Sequence, residues 1–234
     1  MDSLVSSSSI HPRREGWGHR FRTPTERHRR LCEEALPRLC VPEGSLTAPE
    51  RLFPQVPQSL WLEIGFGNGE HLAAHAQRNP HIGYIGCEIF PRGMVHMVDH
   101  AVTLGLQNVR LTSEPALELL KRLPPVCTEG VFILYPDPWP KTRHYKRRLI
   151  SDECVERLAD ILVPGGRVYL ATDHAEYASW ILARFLKVSS FFSWRVTQCQ
   201  DWLQPWDGWQ STVYERKALK RNIRPVYLTF IRKS

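Results

Sequence analysis

Residues 135–148 read YPDPWPKTRHYKRR and place one carboxylate directly before a dense group of cations. Asp137 lies between Pro136 and Pro138, which fix their own φ angles and restrict the residue preceding each, so the carboxylate has little conformational freedom. An acid in this setting suits either a pre-positioned functional group or one half of an ion pair with the cations that follow. The elements around this segment must decide between these interpretations.

A second group of candidate residues follows the apolar run at 60–66, where the sequence LEIGFGNGEHL contains Gly65, Gly67 and Gly69. Glycines at a strand-to-helix turn allow positive φ and a close approach of the backbone to a ligand. This spacing alone is equally consistent with a plain tight turn. Glu88 lies nineteen residues after Gly69 and ends the next apolar run, where α/β sheets offer a carboxylate to ribose hydroxyls.

Glu63 lies inside the first apolar run, where an acid is unfavourable unless a positive or hydrogen-bonding group meets it. A cationic ligand would supply such a group. Dinucleotide-binding folds usually show G-x-G-x-x-G, without an acid two residues before the first glycine. The pattern therefore predicts a nucleoside that carries positive charge and no phosphate, a description that S-adenosylmethionine, a sulfonium, fits.

Short apolar runs alternate with helical patterns from residue 60 onward, which implies strands paired in parallel through crossover helices. The runs are continuous rather than alternating, as expected of strands covered on both faces. Strands are predicted at 60–66, 84–89, 109–112, 131–136 and 167–172, with two later ones at 194–199 and 226–233. Helices are predicted near 25–36, 71–77, 93–104, 116–122, 152–162 and 177–186. The predicted fold is a Rossmann-like α/β domain: a mostly parallel seven-stranded sheet with helices on both faces and an antiparallel C-terminal strand pair.

Composition bounds the domain count and the class of partner. The 234 residues suit one main domain, predicted at 58–234, after a basic, partly disordered arm at 1–57 that is rich in Ser, Pro and Arg. Lys and Arg outnumber Asp and Glu by 31 to 24, which favours an anionic partner such as nucleic acid or an acidic membrane surface.

The six cysteines form no C-x-x-C pair, which argues against a zinc site. No apolar stretch is long enough for a membrane span, so a cytoplasmic protein is predicted.

The motifs LEIGFGNG, YIGCE, PDPWPKTRHYKRR, YLATD and TVYERK resemble those of the tRNA (guanine-N7-)-methyltransferase family, the bacterial single-chain type of class I S-adenosylmethionine-dependent methyltransferase. The resemblance spans about residues 60–220. PDPW followed by K-x-R-H-x-K-R-R is its most specific part, whereas the glycine motif marks only the wider methyltransferase fold. It implies methylation of N7 of a guanosine in the tRNA variable loop, with S-adenosylmethionine as methyl donor, tRNA as partner and no metal.

The resemblance also implies roles for individual residues. Glu63, Glu88 and Asp137 match contacts to S-adenosylmethionine, and Asp137 also matches the proposed catalytic acid residue. At the adenine contact this chain reads SEPA where the family has Asn or Asp before Ala, which leaves either Glu114 or a backbone group for that contact. The implied substrate contacts are Lys141, Asp173, Thr212, Val213, Tyr214 and Glu215. The implied RNA-contacting segment consists of Arg143, His144, Tyr145, Lys146, Arg147 and Arg148.

Guanine chemistry assigns a further role to two of these acids. N7 already carries an in-plane lone pair, so the enzyme must position the base and stabilise the positive charge that moves onto it. A carboxylate that accepts from guanine N1 and N2 would do so and would reject adenine, which lacks the N1 donor. Asp173 and Glu215 are the candidates for this role. For Trp202, Trp206 and Trp209 we favour packing of a loop over stacking on RNA.

Two alternative functions are consistent with parts of the sequence. A class I methyltransferase for a small molecule or protein would keep the glycine turn and Glu88, but would not require the basic segment beside Asp137. A non-catalytic RNA-binding protein with a methyltransferase-like fold would not need Glu63, Glu88 and Asp137, all of which are present. The predicted oligomeric state is a monomer or a homodimer.

Overall fold

The computed structural model describes residues 25–234, and its centre is one seven-stranded sheet. The strands are β1 (Ser59–Ile64), β2 (Ile82–Cys87), β3 (Val109–Thr112), β4 (Thr128–Leu134), β5 (Leu162–Thr172), β6 (Phe192–Trp194) and β7 (Val226–Arg232). They lie in the order β3-β2-β1-β4-β5-β7-β6. The first five pair in parallel, and β7 is antiparallel to both β5 and β6. The predicted fold is confirmed, including the antiparallel C-terminal pair.

Helices cover both faces of this sheet. They are α1 (Glu26–Leu39), α2 (Glu70–Arg78), α3 (Pro91–Thr103), α4 (Ala116–Arg122), α5 (Asp152–Ile161), α6 (Ala175–Lys187) and α7 (Val213–Lys220). Short 3₁₀ helices occupy Pro49–Leu52, Thr142–Arg147 and Cys199–Trp202. The hydroxyls of Thr25, Ser151 and Thr212 cap α1, α5 and α7 by accepting backbone N–H bonds in the first turn, which satisfies donors that the helix itself cannot pair.

Side chains alternate between the two faces of each strand, so β1 contributes to two separate cores. Leu62 is fully buried against α4, α5 and α6 on one face. Trp61, the preceding residue, points to the other face, where α1, α2 and α3 pack against β2 and β3. The carboxyl ends of the parallel strands lie at one edge of the sheet, and the segments that leave this edge carry the candidate residues.

The predicted strand at 194–199 is misplaced, because β6 covers only Phe192–Trp194. Asp201 accepts hydrogen bonds from the backbone N–H groups of Thr197 and Gln198 and from the Thr197 hydroxyl. These local bonds favour a turn into the 3₁₀ helix at Cys199–Trp202, and a strand cannot continue through it. The β-branched and aromatic residues that suggested a strand are therefore overridden by side-chain capping.

The packed part of the chain begins upstream of the predicted boundary at residue 57. In α1, Ala35 and Leu39 are buried and contribute to the core shared with α2 and α3. The backbone N–H of Val41 donates to the carbonyl of Leu111, which attaches the following segment to the edge strand β3. Phe53 is also buried. Residues 26–57 are thus part of the folded body, whereas residues 1–24 of the predicted basic arm lie outside the described residues.

Candidate active site

The glycine turn after β1 forms the floor of the candidate site. Gly65, Gly67 and Gly69 have φ angles of 73°, 56° and 79°, which favour glycine. The Glu88 carboxylate accepts the backbone N–H of Gly67 and that of Phe90, each at 2.9 Å. Beside Gly65 there is open space, since a Cβ atom there would meet nothing within 4 Å. A ligand can therefore approach the backbone of this turn.

Gly93, at the start of α3, permits this turn and was missed by the sequence analysis. A Cβ atom at Gly93 would lie 2.3 Å from the Gly67 carbonyl oxygen and 2.7 Å from Cγ of Glu88. Both distances are far below van der Waals contact, so only glycine lets α3 approach the turn. The sequence signal was a single glycine inside a helical pattern, which often marks a close packing contact.

Asp137 lies in the loop after β4, between two residues with left-handed backbone conformations. Tyr135 has a φ of 54° and Trp139 a φ of 43°, and each such conformation costs about 1–3 kcal/mol in a non-glycine residue. Two of the four non-glycine residues with positive φ among residues 25–234 thus lie in the segment that presents the carboxylate, and functional sites often contain such strain.

The Asp137 carboxylate has no partner among residues 25–234, either as a hydrogen bond or as an ion pair. The residue is exposed, yet the walls of the crevice desolvate the carboxylate and raise its pKa. Burial is also the main cause that raises the pKa of Glu88, and the nearby charge of Asp137 adds to it. The structure thus brings together two acids that lie 49 positions apart in the sequence, and Asp137 is not neutralised by the cations that follow it.

Glu63 has a protein partner that the sequence analysis did not foresee. Its Oε2 atom lies 2.8 Å from Nδ1 of His71 in α2, and both side chains are buried. The His71 ring contacts the ring of His75 one turn later, with 4.3 Å between ring centroids and 34° between planes. Desolvation, the neighbouring His71 and Arg78 lower the pKa of His75 to about 3. Part of the hydrogen-bonding need of Glu63 is therefore met from within the fold.

Glu114 is likewise held by neighbouring side chains. Its Oε1 atom accepts from Arg122 and, at 3.0 Å, from the hydroxyl of Thr112. Arg122 also donates to the backbone carbonyls of Pro42 and Gly44. Cys87 at the end of β2 donates its S–H to the Glu114 carbonyl. The side chain thus braces the segment before α4, and an adenine contact through it stays a prediction.

The predicted RNA-contacting segment divides into exposed and buried residues. It forms the 3₁₀ helix Thr142–Arg147, and Lys141, Arg143 and Lys146 are exposed. Arg143 Nε donates to Nε2 of His144, and desolvation, followed by the charges of the adjoining cations, lowers the pKa of that imidazole. The guanidinium of Arg147 lies 5.0 Å from the ring centroid of Trp139.

The prediction that Arg148 contacts RNA is wrong, because its side chain is buried in the protein. Nε donates to the Pro138 carbonyl at 2.8 Å and Nη2 to Glu176 at 2.9 Å. The guanidinium lies 3.6 Å from the ring centroid of Tyr145 and 4.6 Å from that of Trp180. The Tyr145 hydroxyl also donates to Glu176. Arg148 thus fastens the Asp137 loop to α6, and Tyr145 takes part in the same contact.

The segment at 212–215 places one residue at the crevice and one in the interior. Tyr214 is 51% exposed, approaches Gly67, and has a pKa that is raised first by desolvation and then by the charges of Glu88 and Asp137. Glu215 is buried and accepts from the indole N–H of Trp209 at 2.9 Å and from the Tyr227 hydroxyl. Both oxygens of Glu215 already accept hydrogen bonds from the protein. Asp173 is therefore the better candidate of the two acids for accepting hydrogen bonds from guanine.

Asp173 follows β5 at the same edge of the sheet and is partly buried. Its charge is among the causes that raise the pKa of Tyr135, after burial and the groups of Tyr227 and Glu215. The Tyr135 ring in turn stacks on Tyr214, with 6.2 Å between centroids and 19° between planes. Tyr135 is thus a further wall of the site. The sequence analysis missed it because a tyrosine at the end of an apolar strand is normally interpreted as a residue of the hydrophobic core.

The three late tryptophans lie in packing positions, as favoured from the sequence. Trp206 and Trp209 cover Phe132, Tyr169 and Tyr227 on the face of the sheet next to the site. Trp202 packs against the main core. Arg78 holds the same loop by donating to the Gly208 carbonyl and the Gln210 side chain, each at 3.3 Å.

Over residues 25–234, no group of three or more His, Cys, Asp and Glu side chains is arranged to hold a metal ion. The helices in this part of the chain are all too short or too polar to cross a membrane.

The strand order, the glycine turn after β1 and the acid after β2 together define a class I, Rossmann-like methyltransferase. The fold is similar to that of the 16S rRNA methyltransferase KamB, with a TM-score of 0.55 at 18% identity over 76% of this chain and 89% of that one. It is also similar to an rRNA methylase from Streptococcus thermophilus, with a TM-score of 0.51 at 16% identity over 75% and 87% of the two chains.

Sequence comparison narrows this class. Residues 57–228 match the family model described as "Putative methyltransferase". The chain is 42% identical to the tRNA (guanine-N7-)-methyltransferases of Mesorhizobium japonicum, over 78% of each chain, and of Azorhizobium caulinodans, over 84% of this chain and 85% of that one. The enzyme of the same name from Brucella melitensis is 37% identical over 95% and 98% of the two chains. The chain belongs to the tRNA (guanine-N7-)-methyltransferase family, as the motifs in its sequence indicated.

Proposed function

We propose that this enzyme methylates N7 of a guanosine in the variable loop of tRNA, with S-adenosylmethionine as methyl donor. The observation that carries the proposal is the unpaired carboxylate of Asp137, held beside Glu88 and the glycine turn, directly before an exposed basic segment. One crevice thus offers acids suited to a cationic nucleoside, and its rim offers cations suited to phosphates.

The residues present fit S-adenosylmethionine. Glu88 ends β2, where its carboxylate suits the ribose hydroxyls, and the open backbone at Gly65 permits close approach. Asp137, beside Glu88, and Glu63, in the strand before the glycine turn, add negative charge that suits the sulfonium and ammonium groups of this donor. When bound, this donor supplies an electrophilic methyl group. The chain's own residues hold the base in line with that methyl group and exclude water.

The acids also stabilise charge on the methylated base. The lone pair of guanine N7 attacks without prior deprotonation, so Asp137 is proposed to act as an ionised carboxylate near the reacting atoms rather than as a general base. Asp173 is proposed to accept from guanine N1 and N2, since Glu215 already accepts from Trp209 and Tyr227. These bonds strengthen as the base becomes cationic, and adenine cannot form the N1 bond.

The test is transfer of labelled methyl from S-adenosylmethionine into tRNA, followed by nucleoside mass spectrometry. We expect 7-methylguanosine at one variable-loop position, and none in a transcript in which that guanosine is replaced by adenosine. A methylated base other than guanine, or label in protein with none in tRNA, would contradict the proposal. We also propose that the enzyme is cytoplasmic. We propose that it acts as a monomer or a homodimer, and light scattering of the purified protein would distinguish these two oligomeric states.

A further inference from the structure

One face of α7 carries a line of cations that the site described above does not use. Lys217, Lys220 and Arg221 are spaced as i, i+3 and i+4, and Arg224 follows in the turn before β7. Residues at this spacing lie on one side of a helix. All four are exposed. We name Lys217, Lys220, Arg221 and Arg224 the α7 stripe.

The charge of the α7 stripe is not neutralised within residues 25–234, where none of its members takes part in an ion pair. Arg216, the immediate neighbour on another face of the helix, does pair, with Glu70 of α2 at 3.0 Å. The acid of this helix, Glu215, is buried and held by Trp209 and Tyr227. Many other surface cations have acidic partners: Arg27, Arg29, Lys121, Arg157, Arg184 and Lys187.

The α7 stripe begins at the candidate active site. Tyr214, three residues before Lys217 on the same face, lies against Gly67, and the Lys217 ammonium is 5.5 Å from the Tyr214 ring centroid. The other end of the stripe leads into β7, whose first residue, Val226, pairs with Thr172 directly before Asp173. Both ends therefore lie at the edge of the sheet that carries Asp137 and Asp173.

The stripe and the basic 3₁₀ segment are attached to opposite faces of the sheet. Arg148 fastens the 3₁₀ segment to Glu176 of α6, and α6 packs on the face that also carries α4 and α5. Arg216 fastens α7 to Glu70 at the start of α2, and α2 packs on the other face with α1 and α3. The carboxylates of the site thus lie between two separate groups of exposed cations.

We infer that the α7 stripe is a second phosphate-binding surface for the RNA substrate, so that the RNA crosses the edge of the sheet and is held on both sides of the target base. This inference rests on the proposed function. Phosphate contacts position a nucleic acid without reading its sequence, and contacts on two sides would orient the guanine toward Asp137 and Asp173. The alternative role for cations at the end of α7 is to stabilise the helix dipole, which would affect folding and not RNA.

The experiment compares tRNA binding across a salt series for the wild type and the variant Lys217→Gln/Lys220→Gln/Arg221→Gln. Each lost phosphate contact lowers the log–log slope by roughly 0.7–0.9, so the slope should fall by about 2–3. KM for tRNA should rise by a larger factor than any fall in kcat. The charge-matched control is Arg38→Gln/Arg51→Gln/Arg195→Gln, which removes three exposed cations elsewhere and should leave the slope unchanged.

An equal fall in slope in the control would show a general effect of net charge and overturn the inference. Arg224→Gln covers the case in which the triple variant folds poorly, because Arg224 lies beyond the helix end and should lower the slope by roughly 0.7–0.9 alone. An unchanged slope in Arg224→Gln and in the triple variant, with normal methylation of tRNA by the wild type, would reject the stripe and keep the proposed function. Absence of tRNA methylation by the wild type would reject the proposed function itself. Loss of binding to phosphatidylserine vesicles with tRNA binding intact would assign the stripe to a membrane surface and overturn the inference.

Discussion

The loop holds the Asp137 carboxylate in a position that lowers the stability of the folded protein. Desolvation raises its pKa, and the flanking residues Tyr135 and Trp139 have strained backbones. The folded protein therefore binds a proton at Asp137 more tightly than the unfolded chain does. Stability from this group is present at low pH and is lost as pH rises past its ordinary pKa toward the raised one.

Asp137→Asn should therefore separate activity from stability. We expect a large loss of methyl transfer, nearly unchanged tRNA affinity, and a higher melting temperature near neutral pH, because the variant keeps the shape and removes the charge. The gain in melting temperature should shrink as pH falls below the ordinary range of aspartate, where both proteins are uncharged at this position. Turnover assays, tRNA titration and melting curves across pH test these points. Equal losses of tRNA affinity and turnover would contradict the assignment.

Glu88 serves the glycine turn and, by proposal, the cofactor. Glu88→Ala removes the acceptor for the N–H of Gly67 and that of Phe90 as well as the proposed bonds to ribose. We expect S-adenosylmethionine to bind more weakly by roughly 1.5–3 kcal/mol, as for hydrogen bonds to a charged group. Calorimetric titration measures this change. Glu88→Gln, which keeps one acceptor oxygen, should lose less, and an unchanged affinity in Glu88→Ala would remove the residue from the site.

At the scale of elements, the segment after β4 combines two tasks in a short stretch. Its 3₁₀ helix exposes Arg143 and Lys146, while Arg148 at its end is buried between aromatic rings. The bond from Arg148 to the Pro138 carbonyl connects this anchor to the loop that presents Asp137. The same run of charge therefore supplies both exposed cations, which we propose contact phosphates, and the fixing point of the loop that presents Asp137.

Substitutions at the buried and the exposed positions of this segment should affect different properties of the enzyme. Arg148→Ala should lower the free energy of unfolding by at least about 2 kcal/mol, because the Pro138 carbonyl and Glu176 lose a charged donor and the aromatic rings lose a contact. Cofactor affinity should fall with it as the Asp137 loop loosens. Denaturant unfolding and cofactor titration measure both effects.

The matched control is Arg143→Gln/Lys146→Gln, which changes two exposed cations of the same segment. It should alter stability by no more than about 0.5 kcal/mol and lower the salt slope of tRNA binding by roughly 1.4–1.8. Unchanged stability in Arg148→Ala, or a loss of stability in the double variant, would refute this division of the segment.

At the scale of the whole molecule, α1 is part of the folded body. Leu39 and Ala35 are buried in the core shared with α2 and α3, and the segment after α1 joins β3 through Val41. The family match starts at residue 57, so this chain packs a further helix upstream of the matched region. We propose that the packed domain begins near Glu26.

Leu39→Ala should test whether α1 unfolds with the rest. A buried leucine truncated in a shared core costs about 2–5 kcal/mol, and we expect the midpoint of the single global transition to fall accordingly. Glu33→Ala, on the exposed side of the same helix, should change stability by less than about 0.5 kcal/mol. Circular dichroism and tryptophan fluorescence should report the same midpoint. Two separate transitions would show that α1 is an independent appendage.

The sequence by itself determined the sheet, the glycine turn and the family. Continuous apolar runs alternating with helical periodicity are local signals, and local hydrophobicity and helix capping are enough to place β1 to β5 and most helices. Motifs such as PDPW have a fixed spacing along the chain, so Asp137 and Glu88 could be selected without coordinates. Local signals failed where side-chain capping overrode strand propensity, as at Thr197 to Asp201.

Only the tertiary structure decided which charged groups are free and which are engaged. Arg148 and Arg143 look alike in the sequence, yet one is buried against α6 and the other is exposed. Glu63 has His71, Glu215 has Trp209, and Asp137 has no partner within the described residues. The physical reason is that burial and pairing depend on contacts between residues distant in the chain, which a local pattern of residue types does not encode.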